Sequence, residues 1–300
     1  MIKIQASQVH REFQVKNTSG KQEKLVVLDD FNLQVREGEF LSILGPSGCG
    51  KSTFLNILAG LDKHDSGQIL VDNEPIKDRS FDRGMVFQGY ALLPWRTVLE
   101  NLEIGLEIRG VGKKERRAQA QYYLSLVGLS AFANQYPHQL SGGMKQRVAI
   151  ARVLAYQPDL LLMDEPFAAL DAQTRETLQI ELIRIWEADK KTIVFITHSI
   201  DEAILLSDRV AVMTARPGHI KEIIDIDLPR PRTEEIRNSA EFVKIRQYAW
   251  NLIKDEVTKA QNLQRSTEER EPHKSTIPLP QKENKNIALK RTGERSEKVG

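Results

Sequence analysis

Gly45-Pro46-Ser47-Gly48-Cys49-Gly50-Lys51-Ser52-Thr53 fits the pattern G-x-x-x-x-G-K-[ST]. A mostly apolar strand, Phe40–Leu44, leads into it, and an apolar helical stretch, Thr53–Leu61, leads out. Glycine permits backbone turns that other residues resist. Successive N–H groups can therefore converge on phosphate oxygens, and the start of the helix adds the positive end of its dipole. This predicts that Lys51 reaches the β- and γ-phosphates of a nucleotide and that the Ser52 hydroxyl ligates Mg2+. Cys49 has no second thiol or nearby ligand to work with, so it reads as a small residue tolerated in the loop. Its position predicts that a bulky thiol reagent blocks nucleotide binding.

Working outward, Leu160-Leu161-Leu162-Met163-Asp164-Glu165 is an apolar run that ends in two acids. It lacks polar alternation, as expected of a strand buried on both faces. In open α/β sheets the carboxyl ends of the strands face the ligand crevice. That places Asp164 at the metal and Glu165 at the attacking water, the two tasks phosphoryl transfer sets. A third strand, Thr192–Ile196, runs into Thr197-His198-Ser199, so His198 is expected on the same edge, bonding the γ-phosphate or holding the water and Glu165. Taken singly, paired acids after a strand are a helix cap and a lone histidine is structural; the phosphate loop is what turns both toward chemistry.

Further strands at Met85–Phe87 and Arg209–Met213, alternating with helical stretches, predict an α/β domain with a largely parallel sheet. Ahead of the loop, Ile2–Phe13 and Leu25–Val35 read as strands joined by a polar turn at residues 17–21, a small antiparallel layer. Thr97–Arg109, Lys114–Val127 and Met144–Ala155 carry helical periodicity, so residues 89–157 read as a helical insertion in the core. The domain is expected over residues 1–232. A helical extension follows over residues 233–260, after the turn Leu228-Pro229-Arg230-Pro231-Arg232. Residues 261–300 lack aromatics and are expected to be a disordered tail.

The composition narrows the class. The 300 residues are 28% charged and 40% hydrophobic, which excludes a wholly disordered chain. No run approaches the roughly 18 apolar residues of a membrane span, and the first residues show no apolar secretory core. A single cysteine suits a reducing compartment. Lys and Arg outnumber Glu nine to six over residues 261–300, so the net charge of +2 leaves residues 1–260 near −1. A near-neutral body is a poor nucleic-acid binder, and none is expected as partner. The basic tail reads as a solvated terminus.

Leu140-Ser141-Gly142-Gly143-Met144-Lys145-Gln146-Arg147 resembles the LSGGQ signature of the ATP-binding-cassette (ABC) family, with Met144 where Gln is frequent. The other motifs stand in the family's order. Gly45–Thr53 resembles its Walker A loop, Gln88 its Q-loop glutamine and Leu160–Glu165 its Walker B strand with the catalytic glutamate. Ala169-Leu170-Asp171 resembles the D-loop and His198 the switch histidine. Phe13 falls where the family places an adenine-stacking aromatic.

The resemblance spans about residues 1–255. It implies a P-loop NTPase (RecA-like) α/β core with an antiparallel β subdomain and an inserted helical subdomain. It also implies ATP and Mg2+ as ligands, with Gln88 a metal ligand beside Ser52 and Asp164, and a head-to-tail homodimer. In that dimer Ser141, Gly142 and Gly143, at the start of a helix, grip the γ-phosphate bound to the opposite copy.

Gln88-Gly89-Tyr90-Ala91-Leu92-Leu93-Pro94-Trp95 and Asp164–Asp171 are similar to importer ATPases of the nitrate/sulfonate/taurine group. This implies a permease partner docking at Leu92–Trp95, a separate solute-binding protein, and a peripheral place on the cytoplasmic face of the cell membrane. A non-transport ABC ATPase and a non-hydrolysing nucleotide-binding regulator stay open as alternatives. The absence of a long coiled-coil insertion and of a second cassette weighs against the first, and an intact Glu165 and His198 against the second.

Overall fold

Two sheets carry the chain, and the register of the larger one lines up the residues singled out above. The computed structural model describes residues 1–16, 20 and 22–269. Strands β1 (Ile2–Lys16), β2 (Gln22–Arg36), β4 (Ser66–Val71) and β5 (Glu74–Pro75) form an antiparallel sheet in the order β2-β1-β4-β5. Strands β3 (Phe40–Leu44), β6 (Arg83–Val86), β7 (Leu160–Asp164), β8 (Thr192–Thr197), β9 (Arg209–Met213) and β10 (Ile220–Asp225) form the second, in the order β10-β9-β3-β8-β7-β6. All its pairings are parallel except β9 with β10. The helices are α1 (Lys51–Leu58), α2 (Val98–Ile108), α3 (Lys113–Leu126), α4 (Gly142–Ala155), α5 (Ala172–Asp189), α6 (Ile200–Leu206) and α7 (Ala240–Glu269).

Strand β7 shows why an unalternating apolar run is required. Leu160 and Leu162 join the core under α1 and the antiparallel sheet, while Leu161 and Met163 join the core under α2–α5. All four are at most 1% exposed, so neither face of the strand can carry a polar residue. The second core holds Val98, Leu102, Leu124 and Val148 of the helical layer against Phe40, Ile193 and Phe195 of the sheet. A third, smaller core docks α6 and α7 on β9 through Ala203, Ile204, Val210, Val212, Phe242, Ala249 and Ile253.

Some expectations change. The antiparallel layer has four strands, because β4 and β5 add to β1. Their stretch opens on Ser66-Gly67-Gln68 and holds only three consecutive apolar residues, Ile69-Leu70-Val71, too few to announce a strand. Strand β10 is an edge strand that mixes Ile220, Ile223 and Ile224 with the charged Lys221, Glu222 and Asp225. The strand expected at Met85–Phe87 runs over Arg83–Val86. Residues 261–269, expected in a disordered tail, are helical: α7 continues to Glu269. Gln261–Glu269 has few apolar residues but no Gly or Pro, so nothing local stops the helix. Residues 270–300, and residues 17–19 and 21 of the expected polar turn, lie outside the described residues.

Candidate functional site

The parallel register assembles the site. Leu44 pairs with Thr197, Asp164 with Ile196, and Val86 with Met163. The residues just beyond those pairs are Gly45, His198, Glu165 and, one further on, Gln88. They come from four adjacent strands and leave the sheet at one edge.

The loop Gly45–Thr53 turns tightly enough to need glycine at Gly50, which caps α1 at φ 106°. A Cβ there would stand 2.8 Å from Leu28 Cδ2 and 3.0 Å from Val27 Cγ1, so β2 closes on the loop from the side. The Lys51 ammonium folds back over it, donating to the carbonyls of Gly45 and Pro46, both at 2.9 Å. Lys51 is only 5% exposed while Ser47, Gly48 and Ser52 are exposed, so a buried cation sits behind open backbone. That is a cradle for an anion. Phe13 lies on β1 opposite Leu25, two residues along β2 from Val27, and the Arg11 guanidinium covers its ring at 4.4 Å.

Cys49 is less accessible than its place in the loop suggests. It is 1% exposed and packed in the core beneath the loop, and burial pushes its thiol pKa up. The thiolate is the reactive form, so a thiol reagent meets an inert side chain rather than a handle on the nucleotide.

Glu165 holds the centre. Its Oε1 lies 2.6 Å from His198 Nε2, and Gln88 Nε2 donates to its Oε2 at 3.4 Å. Its backbone sits at φ 47°, a left-handed conformation that costs a non-glycine residue energy and occurs preferentially at functional sites. A ladder bond from its N–H to Ile196 O, 3.0 Å, fixes it there. The carboxylate is thus aimed along the sheet edge, with a histidine on one oxygen and an amide on the other. A carboxylate so held has the fixed orientation that a general base requires.

Asp164 differs from its neighbour. It is buried, and its Oδ1 has no hydrogen-bond partner. Burial raises its pKa, opposed by a hydrogen bond from Ser52; Glu165 adds to the rise, and Lys51 and His198 oppose it. A buried carboxylate oxygen without a partner is costly, and a cation would relieve it. With the Ser52 hydroxyl beside it, the donor set is hard oxygen and incomplete, as Mg2+ prefers when phosphates supply the rest. No cluster of three or more His, Cys, Asp or Glu exists among the described residues to cage a metal without them.

The signature turn stands on the helical layer. Ser141 caps α4, its Oγ accepting from Met144 N at 3.3 Å. Ser141 and Gly142 are exposed, and the first N–H groups of a helix have no intrahelical partner. A Cβ on Gly142 would stand 2.9 Å from the Tyr90 hydroxyl, and one on Gly143 3.4 Å from Leu170 Cδ2. The turn therefore abuts the segments after Gln88 and before Asp171. Asp171 itself caps α5, accepting from Thr174 N at 2.9 Å, and that bond lowers its pKa.

Two ties missed in the sequence bind these parts. Arg152 of α4 donates to Ala91 O at 2.6 Å and Tyr90 O at 3.3 Å, linking the signature helix to the Gln88 segment. Asn101, fully buried on α2, accepts from Leu93 N and donates to the carbonyls of Leu93, Arg96 and Thr97. Such buried amides carry no motif; only a polar residue on an apolar helix face hints at them. The loop so held leaves Leu92 and Leu93 half-buried and Trp95 71% exposed. Beside it runs a groove of about 550 Å3 between the sheet edge and α2, lined by Leu61, Phe81, Phe87, Leu93, Ile104 and Ile108.

The sequence profile of ABC transporters matches residues 28–168. An uncharacterized ABC transporter ATP-binding protein of Methanocaldococcus jannaschii is 56% identical over 79% of this chain and 88% of its own length. The chain belongs to the ABC transporter ATP-binding family. Similar relatives include the nitrate import ATP-binding protein NrtD of Synechocystis sp., 46% identical over 80% of this chain and 92% of its own. Another is the aliphatic sulfonates import ATP-binding protein SsuB of Bacillus cereus, 47% identical over 73% and 85%. Among solved structures, a dimeric ATP-binding cassette in a post-hydrolysis state, bound to ADP and Pi, matches with TM-score 0.68. It shares 36% identity and covers 75% of this chain and 100% of its own. The chain is therefore an ABC ATPase subunit with a P-loop α/β core, binding and hydrolysing ATP. No helix among the described residues is long and apolar enough to cross a membrane.

Proposed function

We propose that this chain is the motor of an importer for a small solute such as nitrate, a sulfonate or taurine. It acts as a head-to-tail pair of copies beneath a membrane permease, with a separate protein delivering the solute. The observation that carries the chemistry is the Glu165 carboxylate, held between His198 and Gln88 beside a buried lysine loop.

In the proposed cycle ATP lies on the backbone of Gly45–Thr53, with adenine against Phe13. Lys51 swings from its two carbonyl acceptors to the β- and γ-phosphates. Ser52, Asp164 and Gln88 would hold Mg2+, which neutralises charge developing on the phosphates. Glu165 accepts a proton from the attacking water, and His198 holds that carboxylate and the γ-phosphate in line. The exposed Ser141–Gly143 turn of a second copy closes over the γ-phosphate with N–H groups its own chain leaves free. ATP shifts the pair toward the closed form by binding it better, and hydrolysis returns it.

Support for the permease reading comes from Trp95 and the apolar groove beside Leu93, large enough for one amphipathic turn of a partner. Arg152 joins that groove to the helix bearing the signature, so closure of the pair is felt there. Such a partner keeps the chain at the cytoplasmic face of the membrane. The test is co-expression with a neighbouring permease: Trp95→Ala should lose co-purification while its ATPase in isolation stays within twofold. Capture of nucleic acid or ribosomes in place of a permease contradicts the importer reading and favours a non-transport ATPase.

A further inference from the structure

Helix α6 opens on Ser199-Ile200-Asp201-Glu202, the spacing of a capping box. Ser199 does its part, its Oγ accepting from Glu202 N at 3.3 Å. The Glu202 side chain does not reach back to the cap, and turns inward to 8% exposure. Acids are rarely buried without a purpose that repays desolvation.

What Glu202 touches is the frame of the histidine. Its Oε2 accepts from Thr197 Oγ1 at 2.6 Å. Thr197 Oγ1 in turn accepts from Ser199 N at 2.9 Å. The residues on either side of His198 are thus held by one carboxylate, directly and through a shared hydroxyl. The other oxygen, Oε1, accepts from Gln179 Nε2 at 3.1 Å and lies 3.8 Å from Arg175 Nε. Both belong to α5, and Arg175 also donates through Nη2 to Leu170 O at 2.9 Å. Leu170 is the residue that Gly143 of the signature turn abuts. A chain of contacts therefore runs from the signature turn through Leu170, Arg175 and Glu202 to the backbone carrying His198.

We propose that Glu202 is a positioning residue for His198, clamping Thr197 and Ser199 around it and tying that clamp, through Arg175, to the loop Ala169–Asp171 against which the signature turn packs. It rests on the reading of His198 as the partner of Glu165. Glu202 touches neither nucleotide nor Glu165; it acts by fixing the ring whose Nε2 stands 2.6 Å from the catalytic carboxylate. A small displacement of such a ring is costly in turnover and cheap in binding.

The experiment is a double-mutant cycle on the full chain: Glu202→Gln, His198→Ala and the pair, with steady-state phosphate release and equilibrium ATP affinity for each. Glu202→Gln should lower kcat about tenfold or more with ATP affinity within twofold, and should cost nothing further in the His198→Ala background. Thr197→Val, which removes the clamped hydroxyl at constant shape, should reproduce the Glu202→Gln phenotype and serves in its place if that variant does not fold. Wild-type kcat in the folded Glu202→Gln or Thr197→Val variant, or losses that multiply in the double variant, overturns the assignment. If His198→Ala alone keeps wild-type turnover, the reading of the histidine fails first and the clamp falls with it.

Discussion

The Gly45–Thr53 loop and the Ser141–Gly143 turn are both helix starts that present N–H groups, yet they stand in opposite conditions. The first is enclosed and supplied: a buried lysine, an aligned carboxylate–histidine pair and an orphaned carboxylate oxygen converge on it. The second is open and bare: an exposed serine and glycine, with no basic or acidic side chain in the first turn besides Lys145. One region has the chemistry and lacks a lid; the other is a lid without chemistry. The two are complementary in what each supplies to an anion: side-chain chemistry from one, free N–H groups from the other. In the proposed cycle a second copy of the chain would bring the open turn over the supplied loop.

The largest effect expected on this contrast is at the supplied end. Glu165→Gln removes the oriented base and should lower turnover about 10²–10⁴-fold while ATP still binds, read by phosphate release beside equilibrium binding. Ser141→Arg attacks the bare end. It should cost about 10²-fold in turnover yet leave the ATP affinity of the single chain within twofold; a matching loss of affinity would mean both regions belong to one chain's site. Lys51→Ala should do the converse, weakening ATP binding about 10- to 100-fold, the worth of a charge-assisted hydrogen bond of ~1.5–3 kcal/mol.

Cys49 sharpens the comparison from beneath. At neutral pH its alkylation in the native chain should be at least about tenfold slower than in the denatured chain, because burial raises its pKa. Native reaction as fast as denatured would mean the loop floor is open.

The smallest effect concerns α7, which walls one side of the loop: a cleft of about 310 Å3 lies between Gly45–Ser47 and Trp250, Ile253 and Val257. Glu256 anchors that helix. Burial works to raise its pKa and is outweighed by Lys221, the Ala215 N–H and Lys259, which hold it at about 2 against an ordinary 4.5. Its stabilisation is therefore present above pH 4.5 and lost as pH falls toward 2. Melts across that window should lose less in Glu256→Gln than in wild type.

Much of this was legible in advance, for reasons that differ by element. Strands β3, β7 and β8 are buried on both faces, so their residues are mostly apolar and visible as such. The loop between β3 and α1, and the acids after β7, sit at strand ends where topology dictates the edge. What stayed hidden is stabilised by partners far along the chain. Strand β4 exists because β1 offers it a ladder; nearer in sequence but equally without a motif, Asn101 is buried against carbonyls four to eight residues away. Glu202 went unnoticed in the sequence, because its turn toward Thr197 belongs to the tertiary structure alone. Cys49 misled because loop position suggested access, whereas the packing of β2 against Gly50 and the loop's close turn bury it.

In the proposed cycle two copies of the chain share each nucleotide. Glu165→Gln, charged with magnesium and ATP, should sediment as a dimer in analytical ultracentrifugation and return to monomer when Ser141→Arg is added. A Glu165→Gln chain that binds ATP yet stays monomeric across the whole accessible concentration range contradicts the account.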